Sequence, residues 1–324
     1  MQGQFGVFSS HANKVVAVTR KAMSSIERFS ACVVVVVCLL FSHPTVASAQ
    51  DFEDPRGRPA GSVWSPSWEQ PDWFDAALTG GLFAGGAAIQ FGLGAPTRPR
   101  WIGPVLADGF MRDSLLATSA NGLSLAGGAS DILLYSLIAS PLLVQPGLAW
   151  MGLGDANAAA NLALINAQAL GVTFFSTVAL KHTIGRQRPP IGACWDDPNA
   201  SPTCKERDTL SFPSGHTSMA FAGAGLVCLN HEVLSPLGGG WDRAACYTAL
   251  SAATATGVLR MVANKHYLTD VVAGAALGLT AGYLLPKWLY FGFGDAEDGV
   301  LGEHDASVTP SVGEVNGVNF SFTW

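Results

Sequence analysis

The 324-residue sequence predicts an all-α protein, a bundle of about six apolar helices with its chemistry gathered at one end. Three observations lead there. Hydrophobic residues make up 49% of the chain and charged residues only 13%, against roughly 25% charge in an average globular chain. Apolar segments of helical length recur at 76–95, 132–153, 156–180, 217–229, 244–263 and 271–291. The residues able to do chemistry cluster at the ends of these segments, between Lys181 and Asp270.

Taken in order, residues 1–49 read as a secretory leader: Lys14, Arg20, Lys21 and Arg28, an apolar run at 31–41, then Pro44 and Ala47-Ser48-Ala49 before Gln50. The run is too short to span a bilayer comfortably, and a start at Met23 gives a more conventional leader length. Residues 50–75 form a linker rich in Pro, Gly and charge, with Trp64, Trp68 and Trp73 suited either to a membrane surface or to packing on the helices. The helical domain is expected over 76–293. Its Gly- and Ala-rich segments suit close packing in lipid, although Gly85-Gly86 weakens the first as a helix. Asn157, Asn161, Asn166 and Gln168 burden the third as a span.

Parity adds a constraint. With the leader cleaved, three crossings before Lys181 place the site on the inner side; an outward site requires that one of the three not cross, for which the Asn-bearing third segment is the candidate, or that the whole bundle lie outside the membrane. The tail, 294–324, is acidic and Gly-rich. It ends on Val318, Phe320, Phe322 and Trp324 alternating with polar residues, the period of a strand. One strand makes no barrel.

Net charge is −6 and no basic run occurs, which excludes a nucleic-acid partner. Cys194 and Cys204 flank a polar loop and are expected to pair in an oxidising compartment. For Cys228 and Cys246 a bond and two buried thiols stand level; a bond places the loop between them in that compartment and argues against crossing. Asp196 and Asp197 lack further ligand spacing, so no metal site is expected. His43, His182, His231 and His304 read as surface or boundary residues.

Three clusters carry the chemistry. In the first, Lys181 precedes Arg188-Pro189; the second is Pro213-Ser214-Gly215-His216; the third runs from Arg260 through His266 to Asp270. Cations in an apolar chain need a compensating anion, and three of them suit a multiply charged one such as phosphate. Arginine's fork matches two phosphate oxygens, whereas lysine acts as a point charge. Ser214-Gly215 opens a helix, where free N–H groups bind anions and glycine permits close approach. His266 and Asp270, four apart, would share a helix face, so that the carboxylate orients the imidazole as a nucleophile. His216 is then free to give a proton to the leaving oxygen.

In this order and spacing the clusters resemble the signature of the type 2 phosphatidic acid phosphatase superfamily, which also contains bacterial acid phosphatases and vanadium haloperoxidases. The resemblance covers roughly residues 130–290. It implies that Lys181, Arg188 and Arg260 bind phosphoryl oxygens with help from Ser214 and Gly215. It also implies that His266 becomes phosphohistidine, Asp270 orients it and His216 protonates the leaving group. One departure is visible: Leu259 stands where the family usually has a serine.

The expected activity is metal-independent hydrolysis of a phosphate monoester or diphosphate, of a lipid or a small molecule. No cofactor is needed, vanadate entering only if the chain is a haloperoxidase instead; a non-catalytic lipid-phosphate binding protein is the third reading. The expected place is a bacterial inner membrane or its surface, with the site facing the periplasm. Substrate identity and oligomeric state are not legible.

Overall fold

The computed structural model describes residues 63–189 and 209–292, together with the backbone of 306–311 and 317–322. Contacts divide the chain into units 1–53 and 54–324, and every described residue belongs to the second. The leader, the loop at 190–208 and the Cys194–Cys204 pair lie outside the described residues.

Seven helices are described: α1 Trp73–Ala87, α2 Asp108–Leu115, α3 Ala120–Ala139, α4 Ala156–Ile184, α5 Gly215–Leu234, α6 Gly240–Val262 and α7 Leu268–Leu279. Three continue through π-helical turns, α1 through Ala88–Gly92, α3 to Gly152 and α7 to Phe291. The six anticipated segments are present, and α2 is additional. Its two turns, with polar residues at half its positions, are too short to register as an apolar segment. The second segment starts earlier than expected because Ser119 caps α3, accepting from Gly122 N.

Local chemistry fixes the other ends. Asp72 accepts from Phe74 N and Asp75 N while the Asp75 carboxylate accepts from Asp72 N, a capping box that opens α1. Asp155 opens α4 by accepting from Ala158 N, and it also accepts from Val63 N. Gly185 ends α4 at φ 59°, a left-handed conformation that costs glycine little. That turn aims Arg186–Arg188 back across the bundle end.

The long helices run up and down around α5, most of whose residues are buried. Close approach depends on small residues. A Cβ at Gly274 would lie 2.8 Å from the Ser214 carbonyl oxygen, and Cβ atoms at Gly278 and Gly282 would strike the backbone oxygens of Ser218 and Ala222. Across the other face of α5, Gly223 lies against the Leu137 carbonyl of α3. The glycines that weaken these segments as isolated helices are what bring their backbones together. Cys228 and Cys246 form a disulfide tying α5 to α6.

Among the described residues, three helices are long and apolar enough to cross a membrane: Ala120–Gly152, Ala156–Ile184 and Leu268–Phe291. The second of these is the Asn-bearing segment expected to be the weakest span. Asn161, Asn166 and Gln168 turn inward, whereas Asn157 is exposed in the first turn. Asn166 is fully buried and donates to the Pro141 carbonyl at 2.7 Å, and Gln168 meets Asp75 at 3.0 Å and Tyr290 at 2.6 Å. Polarity that counts against a span in a linear reading is satisfied inside the bundle.

Trp64 and Trp68 pack on each other and on Phe291, so the end of the linker joins the core, whereas Trp73 is exposed at the start of α1. In the tail, Gly317–Phe322 is a strand as anticipated, and it pairs antiparallel with Ala306–Ser311, which the alternation did not reveal. His231 is a correction. It is buried, with Nδ1 2.6 Å from Asp242 Oδ1, because the turn between α5 and α6 folds that carboxylate back over it.

Candidate active site

The end of α4, the starts of α5 and α7 and the end of α6 meet at one end of the bundle and carry the three clusters with them. Lys181, in the last turn of α4, is buried and donates from Nζ to the Leu210 carbonyl at 2.8 Å. Its Cε would be 3.4 Å from a Cβ on Gly215, ordinary van der Waals contact, so the lysine lies alongside the start of α5. Ser214 caps α5, its hydroxyl accepting from Thr217 Oγ1 at 2.8 Å, while its N–H donates to the Asp270 carbonyl at 2.9 Å. That last bond joins the second cluster to the third.

His216 is held by a residue that the motifs did not single out. Its Nε2 lies 2.7 Å from Asp131 Oδ1 on α3. Arg260 Nη1 reaches the same carboxylate at 3.5 Å and donates to Ser130 Oγ at 3.2 Å. Ser130 thus brings a hydroxyl to Arg260 from another helix, although Leu259 replaces the serine beside it in sequence. Ser130-Asp131 was readable as a polar pair inside the apolar stretch of α3.

His266 and Asp270 do not share a helix. His266 lies in the connection before α7, and Asp270 is the third residue of α7, its carboxylate accepting from Tyr267 N at 2.9 Å as part of the helix cap. The i,i+4 spacing still brings Asp270 Oδ2 to 3.6 Å from His266 Nδ1, an ion-pair distance just beyond a hydrogen bond. His266 Nδ1 is buried without a hydrogen-bond partner. Burial, followed by the charges of Lys181, Arg188, Arg260 and His216, holds the His266 imidazole well below the usual histidine range. These neighbours come from the end of α4 and the segment after it, the start of α5 and the end of α6, so the predicted cations and His216 surround the His266 imidazole.

Beneath that imidazole is a buried ion cluster absent from the sequence reading. Arg186 has no solvent exposure. It donates to Asp270 Oδ1 and Asp108 Oδ2, each at 2.6 Å, to Thr269 Oγ1 at 2.7 Å and to the Gly103 carbonyl at 3.1 Å. Its guanidinium lies 3.9 Å from the Trp101 ring centre and 4.3 Å from that of Tyr267. Burial works to raise Asp108, but hydrogen bonds from Val105 N, Arg186 and Thr269 outweigh it and hold the carboxyl below its ordinary value. With Ser211 Oγ donating to Oδ2 at 2.6 Å, Asp270 is fixed on both oxygens. Arg186 gave no signal because it lies two residues before a motif arginine in an already basic stretch.

Among the described residues no three His, Cys, Asp or Glu side chains group as a metal-ligand set. An apolar recess of about 100 Å³ lined by Leu78, Ile165, Ala169 and Leu285 lies between α1, α4 and the end of α7, away from this site. What the clustered side chains can do chemically is bind an anion of high charge beside a neutral imidazole.

Comparison with known proteins agrees with that chemistry. Residues 160–292 match the PAP2 superfamily model. Lipid A 1-phosphatase of Porphyromonas gingivalis is 45% identical over 74 residues, 23% of this chain and 15% of that protein. A PA-phosphatase related-family protein of Dictyostelium discoideum is 31% identical over 36% of this chain and 44% of its own length. The Schizosaccharomyces pombe protein named "Probable diacylglycerol pyrophosphate phosphatase 1" is 27% identical over 34% of this chain and 47% of its own. The matches therefore span less than half the length of these relatives. The crystal structure of a transmembrane PAP2 type phosphatidylglycerolphosphate phosphatase from Bacillus subtilis aligns with a TM-score of 0.44 and 19% identity, over 67% of this chain and 96% of that one. Residues 160–292 carry this chain's likeness to the PAP2 superfamily.

Proposed function

We propose that the chain is a phosphatase that removes phosphate from a lipid monoester or diphosphate through a phosphohistidine at His266, without a metal. The observation that carries this reading is the surrounding of one buried, neutral imidazole by Lys181, Arg188 and Arg260, with Asp270 and His216 also near it. The three cations and the start of α5 would hold the phosphoryl oxygens and stabilise their charge in the transition state. His266 attacks phosphorus, and the bond to the leaving oxygen breaks as His216 gives it a proton. Water then attacks the phosphohistidine, His216 takes its proton, and His266 is released with inorganic phosphate. Asp270 positions His266 and Asp131 positions His216. The matched relatives are named for lipid phosphates, and the low charge of this chain suits the same substrate class.

The same reading puts the helices in a membrane with the catalytic end facing outward; the Cys228–Cys246 disulfide, which puts the turn between α5 and α6 in the oxidising compartment as well, then requires that α5 and α6 do not cross. α1 begins beside Tyr290, and the chain that follows it reaches Gly185 at Pro96, so α1, α3 and α4 make three passes between the two ends of the bundle. If all three cross, residue 63 lies on the side opposite the site. A cleaved leader and an outward site then exclude each other, and reporter fusions after Gly292 decide between them. Function is tested by phosphate release from phosphatidate, diacylglycerol pyrophosphate, lipid A and p-nitrophenyl phosphate, by the full chain and by His266→Ala, with and without chelator. The expected result is release by the wild type that chelator leaves unchanged and His266→Ala abolishes. Equal rates for the two proteins refute the reading.

A further inference from the structure

The catalytic end carries a group of exposed apolar side chains that belongs to none of the helices able to cross a membrane. In the segment leading into α2 and in α2 itself, Ile102, Leu106 and Phe110 are 69%, 94% and 74% exposed. Phe91 and Leu93, at the same end of the bundle, are exposed too. Apolar exposure along α3, α4 and α7 is explained by lipid around those helices; this group needs another account.

The segment is not a loose loop. Asp108, fully buried, accepts from Thr269 N and Oγ1, from Arg186 and from Val105 N. Gly103 O accepts from Arg186, Gln187 N donates to Trp101 O, and Arg112 Nε donates to Asn264 Oδ1 at 3.0 Å. The finger is thus bolted to Arg186 and Thr269, immediate neighbours of the proposed nucleophile's loop. Its tip is held at a conformational cost, since Leu106 has φ 51°, a left-handed conformation unfavourable for a leucine. A rigid turn that spends backbone strain to point a leucine away from the protein needs something apolar to receive it.

We propose that this finger, Ile102–Leu106–Phe110, inserts into the lipid surface beside the catalytic end and engages the apolar part of the substrate as its phosphate enters the site. The neighbouring exposed Arg98 supplies the positive charge that an anionic bilayer surface favours next to inserted apolar groups. The inference rests on the phosphatase reading for its substrate, and its direct test does not.

The direct test places a nitroxide label on Leu106→Cys in the full chain reconstituted in phosphatidylglycerol-containing vesicles, with the signal of identically treated unsubstituted chain subtracted. The label is expected to be relaxed strongly by oxygen and weakly by a water-soluble nickel chelate. Strong relaxation by nickel, as in water, overturns the proposal, and so does protection from both agents, the mark of a contact with a second copy.

The functional test compares Leu106→Asp and Phe110→Asp on phosphatidate in those vesicles and on soluble p-nitrophenyl phosphate. Each substitution is expected to lower kcat/KM for phosphatidate about tenfold or more, the scale of removing one large side chain from an apolar environment. The soluble ester should stay within about twofold of wild type, as for a surface substitution. Equal loss on both substrates, or no loss on either, overturns the finger's role. A wild type that hydrolyses neither refutes the phosphatase reading, and the label's position still decides whether the finger is in lipid.

Discussion

Arg186 is the best place to test whether the buried ion cluster supports the site. Replacing it with Met keeps an unbranched side chain between the Trp101 and Tyr267 rings and removes the only cation that bridges Asp108 and Asp270 among the described contacts. All three side chains have no solvent exposure. Removing one partner of such a cluster leaves uncompensated charge and costs about 3–5 kcal/mol. The carboxylates keep hydrogen bonds from Val105 N, Thr269, Ser211 and Tyr267 N, which holds the cost within that range and not above it. For a domain of this size the loss corresponds to a fall in melting temperature of about 10 °C. Thermal unfolding of wild type and Arg186→Met in the same detergent measures it, and adding Asp108→Asn should recover part of the loss by removing one stranded charge. A Met variant melting within about 1 °C of wild type would refute the argument, because a cluster that costs nothing to break supports nothing.

Three further outcomes follow from the geometry. Asp131→Asn should reduce kcat about tenfold or more, since the carboxylate orients His216, and raise KM by a smaller factor through its second contact, to Arg260; steady-state kinetics with matched substrates reads the split. Gly278→Ala should separate α5 from α7 and lower both stability and activity, because its Cβ would strike Ser218 O, while Gly128→Ala, with open space around it, should be tolerated and gain about 0.5–1 kcal/mol; thermal unfolding of the pair checks this. For pH, the unfolded chain takes a proton on His266 near the ordinary histidine value, whereas the native site resists it. Its contribution to stability is therefore present above about pH 6.5 and lost progressively below it. Unfolding measured from pH 8 to 5 should show a steeper acid loss in wild type than in His266→Asn.

What was legible from the sequence was what periodicity and spacing can carry. The apolar segments gave the long helices, and the three clusters gave the residues that meet at one end. What escaped was set by three-dimensional context. Asn166 and Gln168 weigh against a span until their partners, Pro141 O and Tyr290, are seen across the bundle. Asp131, Ser130 and Asp108 come from helices outside the clusters and join the site only through packing. Arg186 resembles any basic residue near a helix end until Gly185 turns it inward. The pairing of His266 with Asp270 was inferred for a shared helix face, and it arises instead because α7 begins between them.

The central claim is that His266 carries the phosphoryl group. A phosphoryl group on histidine is acid-labile and survives base, so the direct measurement is a rapid quench of the full chain during turnover of radiolabelled substrate, followed by mapping of the protein-bound label. The account predicts base-stable, acid-labile label on His266 in wild type and none in His266→Ala. Turnover with no labelled protein, or label that persists in His266→Ala, would contradict it.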